Sequence, residues 1–460
     1  MPKIYTLFFA LIFPVVITLA QEERKMSDNI FFKTLPNGLQ VLVVEDHTVP
    51  LVTLSITFKA GAINESKEVN GLIGLYSDLM VAGDRDFATR ADFNYHGGQL
   101  GIQRPNVATT EENSSYHFTL PKENLEAGLN FMNSAVRFPL MSPAALDNEK
   151  KIIDDEVKQK RSNPVYSLID ETDHQLWGDL VSRKEAIGDS NVINSASVEM
   201  LRSIKGRYFV PNNALLVVGG DVEHADVFKQ VEKVYGDWPP TTADPSTRWP
   251  IPEFKPLDKS KYFIVASALA RTPLIYVYWQ GPDTRHDLPA TYAADVFSYM
   301  LNQNSSGLRK ALIQSGLATY VGLGYFTLKH TGPISLIVAP NPARVKECMN
   351  EIKRQVALMG NDDELPDEAI ENAKRRLEIT DVRSEDITTD FVQTLSFWWS
   401  SATLDYYFSY LGNLRKVSRA DLKRYAEKYI KNQPYAEGLL ISPELRDEIK
   451  ADDFFTGGSK

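Results

Sequence analysis

Apolar positions along the chain recur with the period of strands and then with that of helices, and this succession runs twice. Residues 31–35 and 39–45 alternate on either side of Pro36-Asn37-Gly38, which predicts a hairpin. Val52 to Lys59 alternates again and predicts a third strand. Gly61 to Val69 reads as a loop, and a helix is predicted over Asn70–Met80. Ala91 to Tyr95 reads as helix, with Gly97-Gly98 as its stop. Gln99 to Val107 and Glu112 to Leu120 predict paired strands. Asn124–Arg137 predicts an amphipathic helix. Pro143 opens a charged one that stops before Pro164, and more helix fills 166–206. A buried strand at Ala214–Gly219 and a helix at Ala225–Tyr235 complete the first half.

Pro239, Pro240, Pro245, Pro250, Pro252 and Pro256 then predict a stiff, extended linker. Beyond it the plan repeats at an offset of about 220 residues, too long for a solenoid unit. Leu274–Gln280 is a strand feeding a loop, Ala290–Leu301 a helix, and Leu317–Tyr325 with Pro333–Ala339 a strand pair. Pro342–Met359 and Pro366–Val382 repeat the amphipathic and charged helices. Arg419–Lys428 and Glu437–Ile441 close the half. The expected fold class is therefore α+β. Two α/β domains, residues 28–238 and 259–446, flank a Pro-rich linker at 239–258.

A length of 460 residues suits two cores. A net charge of −10 with no basic stripe argues against nucleic acid as a partner. Residues 1–20 combine Lys3, an apolar run from Ile4 to Val16, and small residues at Thr18 and Ala20. They predict a signal peptide cut after Ala20, and so a periplasmic or secreted protein with no membrane span once it is removed; the alternative is an uncleaved anchor. Cys348 is the one cysteine, so no internal disulfide is expected.

The predicted Asn70–Met80 helix sets Gly74, Ser77 and Asp78 at i, i+3 and i+4, on one face. Two side chains so spaced can grip one metal ion while a third activates water. Here the three are a glycine, a serine and an aspartate. Glycine offers no ligand, and serine is no base near neutral pH unless something activates it.

The segments NGLQVLVVEDHTVPLVTLSITFKAGAINE, YHGGQL, PLMSP…EKKIIDDEVKQKRSNP, YFVPNNALLVVGGDV and SSGLRKALIQSGLATY occur in an order that resembles the insulinase/pitrilysin-type zinc metallopeptidases, in their processing-peptidase form. The resemblance covers about residues 30–445. It implies two homologous domains, each a mostly antiparallel sheet packed with helices, and a peptide-enclosing chamber built from two such chains. The family's His-x-x-Glu-His falls on Gly74, Ser77 and Asp78, and no histidine lies between His47 and His96 to restore it. Glu156 fits the third-ligand position, although a solvated helix residue reads the same way, and Glu149 fits a second glutamate two turns earlier. His96 and His117 are the remaining candidates for a rebuilt site. In the second half, the family's arginine position is Ile313 and its tyrosine position is Tyr320, with Arg309 as a possible substitute. Gly97, Gly98, Gln99 and Leu100 resemble the edge strand that receives an extended peptide, or else only shape a turn and a bulge. Phe397-Trp398-Trp399 reads as core before a helix, or as a subunit contact. The resemblance implies a non-catalytic subunit without zinc, paired with a zinc-bearing homologue and handling unfolded peptides. The alternatives are a stand-alone peptide-binding scaffold and an atypical hydrolase.

Overall fold

The computed structural model describes residues 23–102, 105–242, 244–384 and 387–454; the expected signal peptide lies outside them. In the first half, β1 (Arg24–Ser27), β2 (Ile30–Thr34), β3 (Gln40–Glu45), β4 (Leu51–Phe58), β5 (Asn106–Thr109), β6 (Ser114–Pro121) and β7 (Ala214–Gly220) form one sheet ordered β1-β2-β3-β7-β4-β6-β5. In the second, β8 (Lys261–Ala266), β9 (Leu274–Gln280), β10 (Ala318–Tyr325), β11 (Pro333–Pro340) and β12 (Ala436–Ile441) are ordered β10-β11-β9-β12-β8. Read from β3 and from β8, the two orders coincide. Each begins with one parallel pair, β3 with β7 and β8 with β12, and the other three pairs are antiparallel. The repeat visible in the sequence is therefore a repeat of topology, with β1 and β2 added to the first sheet.

In the first half the principal helices are α1 (Leu72–Leu79), α2 (Arg90–Gln99), α3 (Leu125–Arg137), α4 (Pro143–Arg161) and α5 (Pro164–Trp177). Val41, Val43, Leu54, Ile56, Leu216 and Val218 face one way and pack with α1 and α3. Leu42, Val44, Leu215 and Val217 face the other way. What covers them comes from the second half: Phe391, Val392, Leu395 and Trp399 of the helix Thr388–Ser401. The exchange is reciprocal. Leu168 of α5 packs on Ala270, Tyr276 and Leu440 of the second half. Strand β7 is buried along its whole length, as its unbroken apolar run requires when both faces are covered.

Polar contacts lock the same boundary. The Glu112 carboxylate accepts hydrogen bonds from the backbone N–H groups of Lys329 and His330, each at 2.8 Å. The Lys184 ammonium donates to the carbonyls of His330 and Thr331 and pairs with Glu111.

Five expectations are corrected. Gly97, Gly98 and Gln99 are helical and Leu100 caps that helix, so they form no edge strand. Thr89 caps α2 by accepting the Asp92 N–H, and Phe93 anchors it in the core. The stop is Gly101, at φ +81°, where its N–H reaches the Gly98 carbonyl and that of Ile102 reaches the Gly97 carbonyl. The strand begins only at Asn106. Phe397, Trp398 and Trp399 lie inside a helix rather than before one. The proline-rich segment includes a short helix, Pro245–Arg248, started by Asp244 accepting the Ser246 N–H.

Candidate functional site

The start of α1 is built by Glu65, a residue the sequence pattern did not single out. Its buried carboxylate accepts from the backbone N–H groups of Gly71 and Ile73, each at 2.7 Å, and from the Asn70 amide at 3.2 Å. It thus fills the unpaired donors of the helix N-terminus. Burial pushes this carboxyl up to about 7 against the pull of those donors. Gly71, at φ +96°, lets the chain enter the helix past Gly188; a Cβ at Gly71 would lie 2.9 Å from the Gly188 Cα. At the other end, the Tyr76 hydroxyl donates to the Val136 carbonyl at 3.0 Å.

On the face so fixed, Gly74 faces the Ala186 carbonyl. A Cβ there would sit 3.6 Å from that oxygen, an ordinary contact, so packing at Cβ does not dictate the glycine. Ser77 is fully buried, and its hydroxyl donates back to the Ile73 carbonyl at 3.0 Å. Asp78 is half-buried. Burial, then Glu156 and Glu149, push its carboxyl up to about 7, and Arg90 opposes them. Glu149 is buried and accepts from the Arg90 guanidinium at 2.7 Å, whereas Glu156 is exposed on α4.

The fold therefore brings Asp78, Glu149 and Glu156 together but not as a zinc site. A catalytic zinc site needs three converging nitrogen, sulfur or carboxylate ligands, with the fourth tetrahedral position left open for water. Gly74 has no donor atom, the Ser77 hydroxyl is spent on its own helix, and Glu149 is held by Arg90. Among the described residues, no three His, Cys, Asp or Glu side chains converge as a metal set. His96 stacks on Phe87 at 4.3 Å, and His117 lies on β6 opposite Ser55, so neither histidine completes the face.

In the second half Tyr320 is 54% exposed on the edge strand β10. Ile313 packs against the second core. Arg309 donates to the Val321 carbonyl at 3.2 Å, and the Asn302 amide both donates to and accepts from the Leu323 backbone. These two side chains occupy main-chain groups of β10. Strand β5 holds the equivalent edge of the first sheet, with alternate residues exposed.

Residues 40–182 match a family profile described as insulinase (peptidase family M16). Residues 195–377 match one described as peptidase M16 inactive domain. An uncharacterised zinc protease of Streptomyces coelicolor is 21% identical over 207 residues, which is 44% of this chain and 44% of that protein. The chain spans about half the length of the curated relatives it matches. A protease from Helicobacter pylori has the same fold, with a TM-score of 0.80 at 18% identity over 89% of this chain and 98% of that one. The periplasmic protease PqqL from Escherichia coli superposes with a TM-score of 0.75 at 14% identity, over 95% of this chain but 51% of that one.

Proposed function

The chain belongs to the insulinase-type (M16) peptidase family, and from that premise we propose that it is a non-catalytic member forming one half of a peptide-enclosing chamber whose other half is a zinc-bearing homologue. The observation that carries this reading is the α1 face. Gly74, Ser77 and Asp78 stand where the resemblance puts the two histidines and the glutamate, on a helix whose capping and packing are intact. A scaffold kept without its ligands is a scaffold used for something other than metal-assisted hydrolysis. That the chain matches about half of PqqL supports the idea of one half of a larger enclosure.

Within that chamber, β5 is the edge offered to an extended peptide by main-chain pairing, and Tyr320 is the exposed side chain that meets it from a second-half edge. Zinc belongs to the partner. The predicted signal peptide and the likeness to PqqL, a periplasmic protease, support export to the periplasm or beyond. The test is co-expression with an M16 homologue bearing an intact His-x-x-Glu-His motif. The reading expects a stable heteromeric complex on gel filtration and altered peptide cleavage by the partner. Two separate peaks with unchanged cleavage would refute it. Saturable binding of unfolded peptides by the isolated chain alone would then favour a stand-alone capture role.

A further inference from the structure

A cavity of about 580 Å³ lies between the two halves, on the sheet face away from α1. Its walls come from the end of β4, the start of β7, the 244–251 segment, the 329–330 turn and the helix Thr388–Ser401. Its size is that of a metabolite site. Five ionisable side chains face Lys59 across it or beside it: Glu112, Asp244, Arg285, Lys329 and His330.

Most of these are already occupied. Glu112 holds the Lys329 and His330 N–H groups and the His330 ring. Arg285 is bidentate on Glu253 at 3.0 and 3.1 Å. Asp244 accepts the N–H and hydroxyl of Ser246. Lys59 and Lys329 differ from all of them. Among the described residues, neither ammonium has a carboxylate at ion-pair distance. Lys59 instead rests over the Trp399 ring at 4.2 Å. Two half-buried lysines sharing one cavity, with Asp244 as the carboxylate whose field reaches both, carry a repulsion that an anion between them would relieve. The turn that presents Lys329 is strained as well: Thr331, a β-branched residue, is held at φ +42°.

We propose that this cavity binds a small, multiply charged oxyanion, a carboxylate or phosphate of metabolite size, between Lys59 and Lys329. The proposal does not depend on the chamber reading, because the two sites lie on opposite faces of the first sheet. Burial, then Lys329, push the Lys59 ammonium down to about 8, with Asp244 opposing. An anion between the lysines reverses that pressure.

The experiment is isothermal titration of the full chain with citrate and, separately, with inorganic phosphate, repeated on Lys59→Met and Lys329→Met. The expected result is saturable binding of at least one probe near one per chain, weakened about tenfold or more in either variant. Binding should also weaken by about tenfold between pH 7 and pH 9.5, as Lys59 loses its proton. Tighter citrate binding assigns a polycarboxylate, and equal or tighter phosphate binding a single phosphate-type head. Without ligand, Lys59→Met should raise the thermal midpoint, since a half-buried charge with no carboxylate at ion-pair distance is removed; a purely structural lysine would lower it. If Lys59→Met does not fold, the half-buried Lys329→Met carries the comparison. No saturable heat with either probe, or equal binding by the variants and the native chain, overturns the proposal.

Discussion

Gly219→Ala is the sharpest perturbation of the exchanged packing. Gly219 lies on β7 with the helix Thr388–Ser401 of the other half directly above it. A Cβ added there would come 2.5 Å from Val392 Cγ2 and 3.1 Å from Thr388 Cγ2. Carbon atoms in good contact sit about 3.5–4.0 Å apart, so the first contact is about 1 Å too close. Overpacking of this kind costs about 1–3 kcal/mol. Two effects oppose it: relief of glycine's unfolded-state entropy, about 0.4–1 kcal/mol, and a better strand former. The net expectation is a loss of about 1–2 kcal/mol. Val392→Ala removes the clashing atom and by itself costs about 1.5–3 kcal/mol of burial. The double variant should cost less than the sum of the singles by about 1–2 kcal/mol. Urea unfolding of the full chain, followed by tryptophan fluorescence, measures all three. If Gly219→Ala is neutral or stabilising, or if the pair is additive within about 0.5 kcal/mol, the helix does not sit on the first sheet as described.

Three further predictions test other parts of the structure. Lys184→Met should destabilise the chain by about 1–3 kcal/mol, because it leaves the half-buried Glu111 carboxyl and the His330 and Thr331 carbonyls without their donor; adding Glu111→Gln should recover part of the loss in the same urea assay. Gly101→Ala should lower the thermal midpoint, since φ there is +81° and a Cβ would lie 2.6 Å from Pro121 Cδ; an edge strand through Gly97–Leu100 would predict little change. Asp78→Asn should flatten the pH dependence of stability. The folded carboxyl, at about 7, lies above its unfolded value, so the native state holds the extra proton and stability falls as pH rises from about 4 through 7. At about pH 8 the variant should therefore be more stable, by on the order of 1 kcal/mol after allowance for partial exposure, with little difference near pH 4, as thermal scans at the two pH values would show.

Much of the architecture was legible in the sequence because it rests on local periodicity. The strands at 274–280 and 333–339 and the helix ahead of Gly83 follow from alternation and from apolar spacing. That Gly74, Ser77 and Asp78 share one face of α1 was also legible, because it depends only on helical spacing at i, i+3 and i+4. What was misread depended on distant partners or on a single dihedral angle. Gly97-Gly98 looked like a helix stop because glycine commonly ends helices, yet the left-handed residue is Gly101, and Gly97 instead lies beside the Phe131 ring. Trp399 looked like local core or a subunit contact, but it packs on a sheet more than 180 residues away in the chain, bonding Gln40 at 2.7 Å. Glu65 carries no motif, and its role appears only once its carboxylate is seen against the N–H groups of Gly71 and Ile73. Lys59 read as the polar end of a strand, and only the fold sets it opposite Lys329.

The central claim is that the α1 face cannot hold zinc. It is tested most directly by elemental analysis of the full chain, purified without added metal and again after zinc loading and desalting. The account predicts less than about a tenth of an equivalent of zinc in both preparations. Close to one equivalent, lost on Asp78→Ala or Glu156→Ala, would contradict it and make this chain a metallopeptidase in its own right.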